Sequence, residues 1–493
     1  MATQWQTYPI EFRGGLISNQ SLLQQGTNAV GSATILQNFE VNKEGGYTKI
    51  KGYEKFSDTV VPGSGPVLGV KVIDSGKVLA ARKGYNVTQW YVSSGSAWTS
   101  LATATFLGNK ARHTSFKLGT DAKVVIVDGV NYPAVFDTSD DSLTYMTSAN
   151  SADVQGVDHV AFFKGTAFYA KDNILYFTAP LTVDDFSSAN GAGTINVTHD
   201  VTGLVVFRDQ LIVFTENTIQ RITGTSAADF TMSPITDRIG CLSADTIQEV
   251  GGDIMYVAPD GIRLLSATDR IGDFGLDIAS DVIAKDASKF LSNSSLYTSV
   301  LFRDKAQYRI LSYVESEQSE TAKGLIATKL VSQGASSMGW STTFGIKAHV
   351  ADSVYTGNTE TVCFANNDGY VYELGTGASF DGSIIEAVYE SPYMPMGDPQ
   401  IRKTMYKMSL YAEPSGDMDL SVNVKYDFDT ATNLGTVQPA TIPISSTGSS
   451  VFLFGSTNSV FGTATYGGVL DTVYDTHMTG SGKTVALRIE DIS

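Results

Sequence analysis

Short apolar runs recur between residues 61 and 390, each ended by a turn rich in Gly, Asp, Ser or Asn. In the first set, Val67–Ile73 is followed by Lys77–Ala81, Asn86–Val92 and Ala97–Leu101. Such runs are rich in β-branched and aromatic residues, which favour strands. Four strands within about 35–45 residues have the size of one propeller blade. Because roughly seven sets of this kind follow one another, the pattern predicts an all-β protein with a β-propeller of about seven blades over residues 61–390.

The repeat is interrupted once and flanked at both ends. Ile278–Leu291 has apolar residues at helical spacing and predicts a helix. Residues 1–60 lack the blade pattern, and we interpret them as an N-terminal extension with strands that adds a strand to the last blade and covers its edge. The run Pro392–Pro399 is rich in proline and predicts a boundary. Alternating runs beyond it predict a small C-terminal β-sandwich over residues 391–493.

Charge and cysteine content narrow the class of protein. The formal net charge of −17 argues against a protein that grips nucleic acid, because such affinity comes largely from Lys and Arg on phosphates. It is compatible with a surface past which DNA slides. Cys241 and Cys363 both lie in apolar runs, which predicts buried thiols rather than a disulfide framework. We expect no signal peptide and no membrane span, since no apolar run approaches the roughly 20 residues needed to cross a bilayer.

The motifs that carry chemistry in other proteins are incomplete here. Gly480–Thr484 resembles the end of a phosphate-binding loop, but His477 stands where that loop needs Gly and a strand-like run follows, so a hairpin turn is favoured. Gly95 and Trp98 match only the end of a turn that recurs in sialidase-type propellers. A pair of catalytic carboxylates is not identifiable from spacing alone. We therefore predict no catalytic residues and no cofactor.

Metal ligands are equally hard to assemble from the sequence. The five histidines have no His or Cys partner at metal-ligand spacing. The acidic pairs Asp140-Asp141 and Asp184-Asp185 do not match an ordered Ca²⁺ loop and are read as solvated loops. We predict no metal site.

Three stretches resemble one family. Arg13–Tyr53 resembles the N-terminal region of the tail nozzle, tail tubular or packaged-DNA stabilisation proteins of short-tailed bacteriophages, in which an Asn-containing strand leads into a Gly-rich turn, basic residues and Gly-Tyr. Arg238–Leu265 is similar to a blade common in these proteins, and Ser391–Lys403 is similar to the entry of their C-terminal β domain. Lys49 and Lys51 depart from the family, which often has adjacent arginines in the Gly-rich turn.

The resemblance implies a structural virion protein and not an enzyme. Such a protein is made in the host cytoplasm and assembles into a ring, expected to be hexameric, at the end of a short phage tail. Its partners would be portal-proximal adaptor proteins and tail fibres or a tail tip, and genomic DNA would be retained behind the ring and pass through it on ejection. An acidic lumen would let that polyanion slide without adhering. The candidate assembly contacts are Arg13, Asn38, Lys49, Lys51, Tyr53, Arg402, Lys403 and Lys407.

Two other functions remain open at this point. A carbohydrate-binding or glycoside-cleaving propeller would need a pocket on one face lined with Asp, Glu and Trp. The chain has only four Trp residues, which weakens this alternative. A host-receptor-binding tail protein would need exposed variable loops, for which residues 183–193 and 427–447 are the candidates. Neither the host nor the ring stoichiometry follows from the sequence.

Overall fold

The computed structural model describes residues 6–103, 108–118, 121–266, 278–293, 296–314, 316, 318–332, 335–413, 418–428, 440–444 and 473–491. The chain divides into two compact units. We call Lys51–Met338 with Phe344–Gly377 the propeller unit, and Met1–Ile50, Gly339–Thr343 and Ala378–Ser493 the terminal unit.

The N-terminal segment contains one short helix and four short strands. They are α1 (Leu22–Asn28), β1 (Ile35–Gln37), β2 (Phe39–Val41), β3 (Tyr47–Lys49) and β4 (Tyr53–Lys55). Ser21 caps α1 by accepting from the Gln24 backbone N–H at 3.4 Å.

Four four-stranded antiparallel sheets follow in chain order, and we number them blades 1 to 4. They are β5 (Val67–Val72), β6 (Val78–Lys83), β7 (Thr88–Ser94) and β8 (Ala97–Thr103); β9 (Arg112–Leu118), β10 (Asp121–Val127), β11 (Ala134–Asp137) and β12 (Ser142–Tyr145); β13 (His159–Phe163), β14 (Thr166–Lys171), β15 (Ile174–Phe177) and β16 (Gly193–Asn196); and β17 (Val201–Phe207), β18 (Gln210–Thr215), β19 (Ile219–Thr223) and β20 (Thr231–Thr236).

A three-stranded sheet and two further blades complete the propeller unit. The sheet is β21 (Gln248–Val250), β22 (Asp253–Ala258) and β23 (Gly261–Leu264), followed by a 3-10 turn (Asp281–Ile283) and α2 (Ala284–Asn293). Blade 5 is β24 (Leu296–Phe302), β25 (Gln307–Tyr313), β26 (Lys323–Ser332) and β27 (Ala335–Phe344), the last of which shares residues 339–343 with the terminal unit. Blade 6 is β28 (Val350–Thr356), β29 (Thr359–Ala365), β30 (Val371–Leu374) and the N-terminal β4.

The C-terminal strands belong to the terminal unit. They are β31 (Ser379–Phe380), β32 (Ser383–Ile384), β33 (Ala387–Glu390), β34 (Lys403–Thr404), β35 (Lys407–Tyr411), β36 (Met418–Tyr426), β37 (Ala440–Ile444), β38 (Val473–His477), β39 (Ser481–Gly482) and β40 (Val485–Asp491). One sheet runs in the order β1-β33-β40-β36-β37, and two ribbons pair β34 with β39 and β35 with β38. Met394, Met478 and Leu487 form a buried core in this unit.

The structure confirms the all-β propeller and corrects the number of blades. Six four-stranded blades are present in the described part of the chain, against the predicted seven, and the remaining repeat is the three-stranded sheet. The predicted helix over Ile278–Leu291 is present as the 3-10 turn and α2, with Ile283 and Phe290 buried. The first strands of the blades pack side by side, β9 on β13, β13 on β17, and β24 on β28, which in turn packs on β5, so these strands surround the propeller axis.

Apolar side chains fill the spaces between neighbouring blades. Trp90, Val124 and Phe136 share one cluster between blades 1 and 2, while Phe168 and Val213 share another between blades 3 and 4. Each fully buried side chain of this size stabilises the fold by about 1.5–3 kcal/mol. The two predicted buried thiols are confirmed, since both cysteines are free and buried.

The N-terminal strand closes the last blade, as the sequence predicted. In β4, Tyr53 pairs with Leu374, Glu54 with Glu373 and Lys55 with Tyr372. The Arg82 guanidinium of blade 1 then fixes the chain that leads out of β4, donating to the Val61 carbonyl at 2.5 Å and the Gly65 carbonyl at 2.8 Å.

The predicted domain limits differ from the units of the structure. The sequence suggested a separate extension over residues 1–60 and a C-terminal domain from residue 391. In the structure, residues 1–50 join the C-terminal strands in one unit, because Ile35 of β1 pairs with Glu390 and Gln37 with Val388 of β33. The apolar run Val451–Phe454, whose sequence predicts a strand, lies outside the described residues.

Candidate functional site

The predicted assembly contacts fall into three structural classes. Arg13 and Lys51 are exposed, and Arg13 lies 3.3 Å from Glu11. Arg402 and Lys407 are exposed but paired within the chain, Arg402 with Asp427 at 3.3 Å and Lys407 with Asp475 at 2.6 Å. Asn38, Lys49, Tyr53 and Lys403 are held by contacts inside their own unit, as described next.

Asn38 has an intrachain role instead of a surface role. It is 2% exposed, with φ of 53°, a backbone conformation that Asn tolerates better than most residues. Its side chain donates to the Glu386 carbonyl at 2.8 Å and accepts from the Thr343 hydroxyl at 3.0 Å. Lys49 forms an ion pair with Asp491 at 2.9 Å, which joins the two ends of the terminal unit.

Tyr53 and Lys403 are likewise engaged within the chain. The Tyr53 ring packs edge-on against Phe364 and Tyr372 with centroid distances of 5.0 Å, and the side chain is buried in the propeller unit. The Lys403 ammonium donates to the carbonyls of Pro395 at 2.5 Å, Lys483 at 3.2 Å and Asp398. These side chains stabilise their own units, and their part in assembly stays a prediction.

An exposed sheet face in the terminal unit was not predicted. Lys407, Ser409 and Tyr411 of β35 lie opposite His477, Asp475 and Val473 of β38. Tyr411 is 74% exposed and Val473 is 38% exposed, while Asp475 accepts from both Lys407 and Ser409 at 2.6 and 2.5 Å. We call this surface the Tyr411 face. Its charges are neutralised in the chain and its aromatic ring is uncovered, a composition typical of protein interfaces.

A second unpredicted feature is a group of charged side chains around the propeller axis. Arg112 of β9 donates two hydrogen bonds to Asp245, from Nε to Oδ1 at 3.0 Å and from Nη2 to Oδ2 at 3.2 Å. Lys110 also contacts Asp245 Oδ2 at 3.2 Å and donates to the Tyr297 carbonyl of β24 at 3.1 Å. Asp245 lies on the 3-10 turn Ala244–Thr246 before the three-stranded sheet, so these bonds join blade 2 to elements that are not its neighbours.

The same group continues to the other side of the axis. Lys71 of β5 forms an ion pair with Asp352 of β28 at 3.0 Å, and Asp352 also accepts from the Val72 N–H at 2.8 Å. His113 of β9 lies 3.9 Å from Asp352 and 3.2 Å from the Val70 carbonyl. His159 of β13 lies 3.5 Å from Asp158. We call these residues the axial cluster: Lys71, Lys110, Arg112, His113, Asp158, His159, Asp245 and Asp352.

The titration of the axial cluster follows from burial and pairing. Burial alone would raise the pKa of Asp245, but Lys110 and Arg112 hold it below its ordinary value. Asp352 behaves in the same way, with its pKa lowered by Lys71 and His113 against burial. Burial lowers the pKa of His113 to about 4 and that of His159 to about 3. At neutral pH Asp245 and Asp352 are therefore ionised and ion-paired, while His113 and His159 are neutral.

The cavity found beside blade 4 does not resemble a carbohydrate pocket lined with Asp, Glu and Trp. A cavity of about 220 Å³ beside blade 4 is lined by apolar and basic or neutral side chains, namely Phe207, Arg208, Gln210, Ile212, Arg221, Ile235, Leu265 and Ser266. Trp90 and Trp340 are buried, and Trp98 donates to the Thr59 carbonyl at 2.9 Å. In the described residues, no group of three or more His, Cys, Asp or Glu is arranged to hold a metal ion.

The segment Gly480–Thr484 differs from the hairpin turn predicted from its sequence. Ser481 and Gly482 form β39, which pairs with β34, and Val485 begins β40, which pairs with β33 and β36. The acidic pairs also lie in loops, with Asp141 bound to Lys77 at 2.5 Å and Asp185 accepting from Ser187 and Asn190.

Comparison with known proteins leaves the family open. No family model matches the chain, and no curated protein matches it. Among solved structures, the extracellular domain of a hybrid two component system from B. thetaiotaomicron matches 66% of this chain and 39% of that chain, with a TM-score of 0.40 and 8% identity. A likeness at this level carries no argument about function. Within the described residues, the structure contains no helix both long and apolar enough to cross a membrane.

Proposed function

We propose that this protein is a structural subunit of the nozzle ring of a short phage tail. In this role it is made in the host cytoplasm, enters the virion as a homo-oligomer, retains packaged DNA and gives it a path for ejection. The observation that carries the proposal is the composition of the terminal unit. Most of Arg13–Tyr53 and all of Ser391–Lys403, two of the stretches that resemble nozzle proteins, belong to this one unit although they are far apart in sequence.

The chemistry of the axis supports a framework rather than a catalyst. Asp245 forms ion pairs with Arg112 and Lys110, and Asp352 forms an ion pair with Lys71. Neither carboxylate is therefore available to attack or protonate a substrate. A general acid or base needs access to the reacting atom. Rigid, internally paired groups suit a protein that transmits load within a particle.

The Tyr411 face is the contact surface that this function uses in the terminal unit. Exposed aromatic side chains in a face with neutralised charges are strong candidates for buried contacts between subunits or with an adaptor. The acidic character of the chain suits a lumen through which DNA passes without adhering.

The first test is the mass of the purified full-length chain in solution, followed by negative-stain imaging alone and with a portal–adaptor complex. The expected result is a six-fold ring with a central hole, formed either alone or on the portal complex. A chain that stays monomeric under both conditions and binds glycans in an array would overturn the proposal in favour of a carbohydrate-binding propeller.

A matched pair of variants then tests the surface. Tyr411→Glu is expected to lower ring formation at least about tenfold, because it places a charge in a contact centre. Tyr85→Glu is the control, since Tyr85 is 90% exposed on a turn of the propeller unit. Equal assembly by both variants would remove the Tyr411 face from the proposal but leave ring formation itself untouched.

A further inference from the structure

The axial cluster joins every blade of the propeller around one point. Blade 1 contributes Lys71, blade 2 Arg112, and blade 6 Asp352, while Asp245 precedes the three-stranded sheet. In blade 5, the Ser299 hydroxyl of β24 donates to the Asp245 carbonyl at 2.6 Å. Blade 3 is attached through the Asp158 carbonyl, which accepts from Arg112 at 3.3 Å, and through His159, whose backbone neighbour in blade 4 is Val201.

The packing of first strands described above joins adjacent blades, such as β9 with β13 and β13 with β17. At the rim, Lys164 of the β13–β14 turn contacts Asp209 of the β17–β18 turn at 2.8 Å, joining neighbouring blades 3 and 4. The bond from Arg112 to Asp245 instead crosses from blade 2 to the far side of the ring. A bond of this kind opposes separation anywhere in the ring, whereas a rim pair opposes separation of two blades.

We propose that the axial cluster is an acid-sensitive clasp, which holds non-adjacent blades together at neutral pH and loosens when His113 and His159 take up protons. The inference concerns the propeller unit and stands apart from the proposed ring.

The position of each histidine explains the acid sensitivity. His113 Nε2 lies 3.2 Å from the Val70 carbonyl oxygen, which only accepts, so Nε2 carries a proton. Burial lowers the pKa of His113 and keeps the second ring nitrogen unprotonated at pH 7. A second proton would make His113 a buried cation, which Lys71 of β5 repels and which Asp352 of β28 and Asp245 attract. A second proton on His159 would make a buried cation, which Arg112 of β9 repels and which Asp245 attracts. Asp158, the residue directly before β13, also attracts it.

Proton linkage gives the direction and the size of the pH effect on opening of the clasp. The folded pKa values of about 4 and about 3 lie below the ordinary value for histidine, so the opened state binds more protons between those values and about pH 6.5. Opening is therefore favoured as the pH falls through this range. From pH 7 to pH 5 the opening equilibrium rises by about 20-fold for each histidine that is released. The acids of Asp245 and Asp352 add to the same trend at lower pH, whereas burial raises the pKa of Asp158, which acts in the opposite direction.

The chain contains natural reporters of such opening. Cys363 of β29 lies directly opposite Asp352 of β28, and Cys241 lies on the chain segment that leads to Asp245. Both thiols are buried and free, and burial raises the pKa of Cys241 to about 11. Their reaction with an added reagent therefore reports local opening next to both carboxylates of the clasp.

The experiment measures labelling of both thiols in the native full-length chain by a pyridyl disulfide, which reacts with thiols in mild acid. Mass spectrometry follows each cysteine, and the rate in urea-unfolded chain at the same pH normalises the reagent. The expected result is that normalised labelling rises about 20-fold or more between pH 7 and pH 5. His113→Gln with His159→Gln keeps side-chain donors but removes the titration, and is expected to flatten this rise to under about threefold.

Asp245→Asn tests the clasp at constant pH. It leaves Arg112 and Lys110 without their counter-charge and is expected to raise labelling at pH 7 at least about tenfold. Asp209→Asn removes the acid of the rim pair and is expected to change it less than about twofold. Labelling that is equal at pH 7 and pH 5 in the unmodified chain, or equal in Asp245→Asn and Asp209→Asn, would overturn the proposal. The unmodified chain and the Asp209→Asn control decide the question if the double-histidine variant does not fold.

Discussion

At the scale of residues, Asn38 has a structural role inside the terminal unit. It was a candidate assembly contact because residues 13–53 lie outside the propeller repeat. The structure places it in a left-handed backbone conformation with both ends of its amide bonded inside the terminal unit. Sequence spacing alone does not distinguish such a residue from a surface contact, because the partners Thr343 and Glu386 are far away in the chain.

Asn38→Ala is expected to destabilise the terminal unit by about 2–4 kcal/mol, since it leaves the Glu386 carbonyl and the buried Thr343 hydroxyl without their partner and removes a residue suited to positive φ. Urea unfolding followed by far-UV circular dichroism measures the loss. Lys51→Ala, at an exposed position, is the control and is expected to change stability by less than about 0.5 kcal/mol. Equal stability of the two variants would contradict the intrachain role.

A like-charged pair at the closing strand gives a pH-dependent prediction. Glu54 lies directly opposite Glu373. Burial raises the pKa of Glu373, and the negative charge of Glu54 raises it further. A raised folded pKa in an acid destabilises the fold at neutral pH, and this cost disappears as the pH falls below the ordinary value for glutamate. Glu54→Gln is therefore expected to stabilise the propeller by about 0.5 kcal/mol at pH 7 and to have no effect near pH 3.5. Thermal unfolding at both pH values tests this, and a gain that persists in acid would contradict it.

At the scale of elements, strand periodicity was predictable and strand partnership was only partly so. The four runs of the first set appear as β5 to β8 with limits shifted by a few residues, because alternation and turn residues are local signals. The pairing of β1 with β33 was not predictable, since it joins short segments from opposite ends of the chain. The axial cluster escaped detection for the same reason, because Arg112 and Asp245 meet only after the ring has closed.

The closing strand changes how truncations should be designed. A deletion of residues 1–60, designed to test the N-terminal extension in assembly, would also remove β4 from blade 6. A point change separates the two effects. Glu54→Pro removes a backbone donor in the middle of β4 and is expected to lower the free energy of unfolding by about 2–3 kcal/mol.

Asp58→Pro, beyond the end of β4, is the control for Glu54→Pro and is expected to leave stability within about 1 kcal/mol. Calorimetry of the two full-length variants gives the comparison. If Glu54→Pro and the control unfold at the same temperature, the pairing of β4 with β30 does not stabilise the propeller.

At the scale of the whole molecule, the fold class followed from the sequence and the division into units did not. The repeat of short strands predicts a propeller because each blade is built from local hairpins. The terminal unit is built from non-local pairing, so the sequence suggested two separate end domains where the structure has one unit. The function proposed above rests on this unit and on the family resemblance of its two segments.

The pairing of β4 with β30 also sets an order of events during synthesis. Tyr53–Lys55 leaves the ribosome more than 300 residues before its partner Val371–Leu374. Until then the nascent chain exposes an unpaired strand edge, a site where chains pair wrongly with one another. Ring closure is therefore a late step of long sequence separation, and such steps fold slowly. Cells that produce this protein at high levels would gain soluble yield from slower translation or a chaperone that shields the early strand.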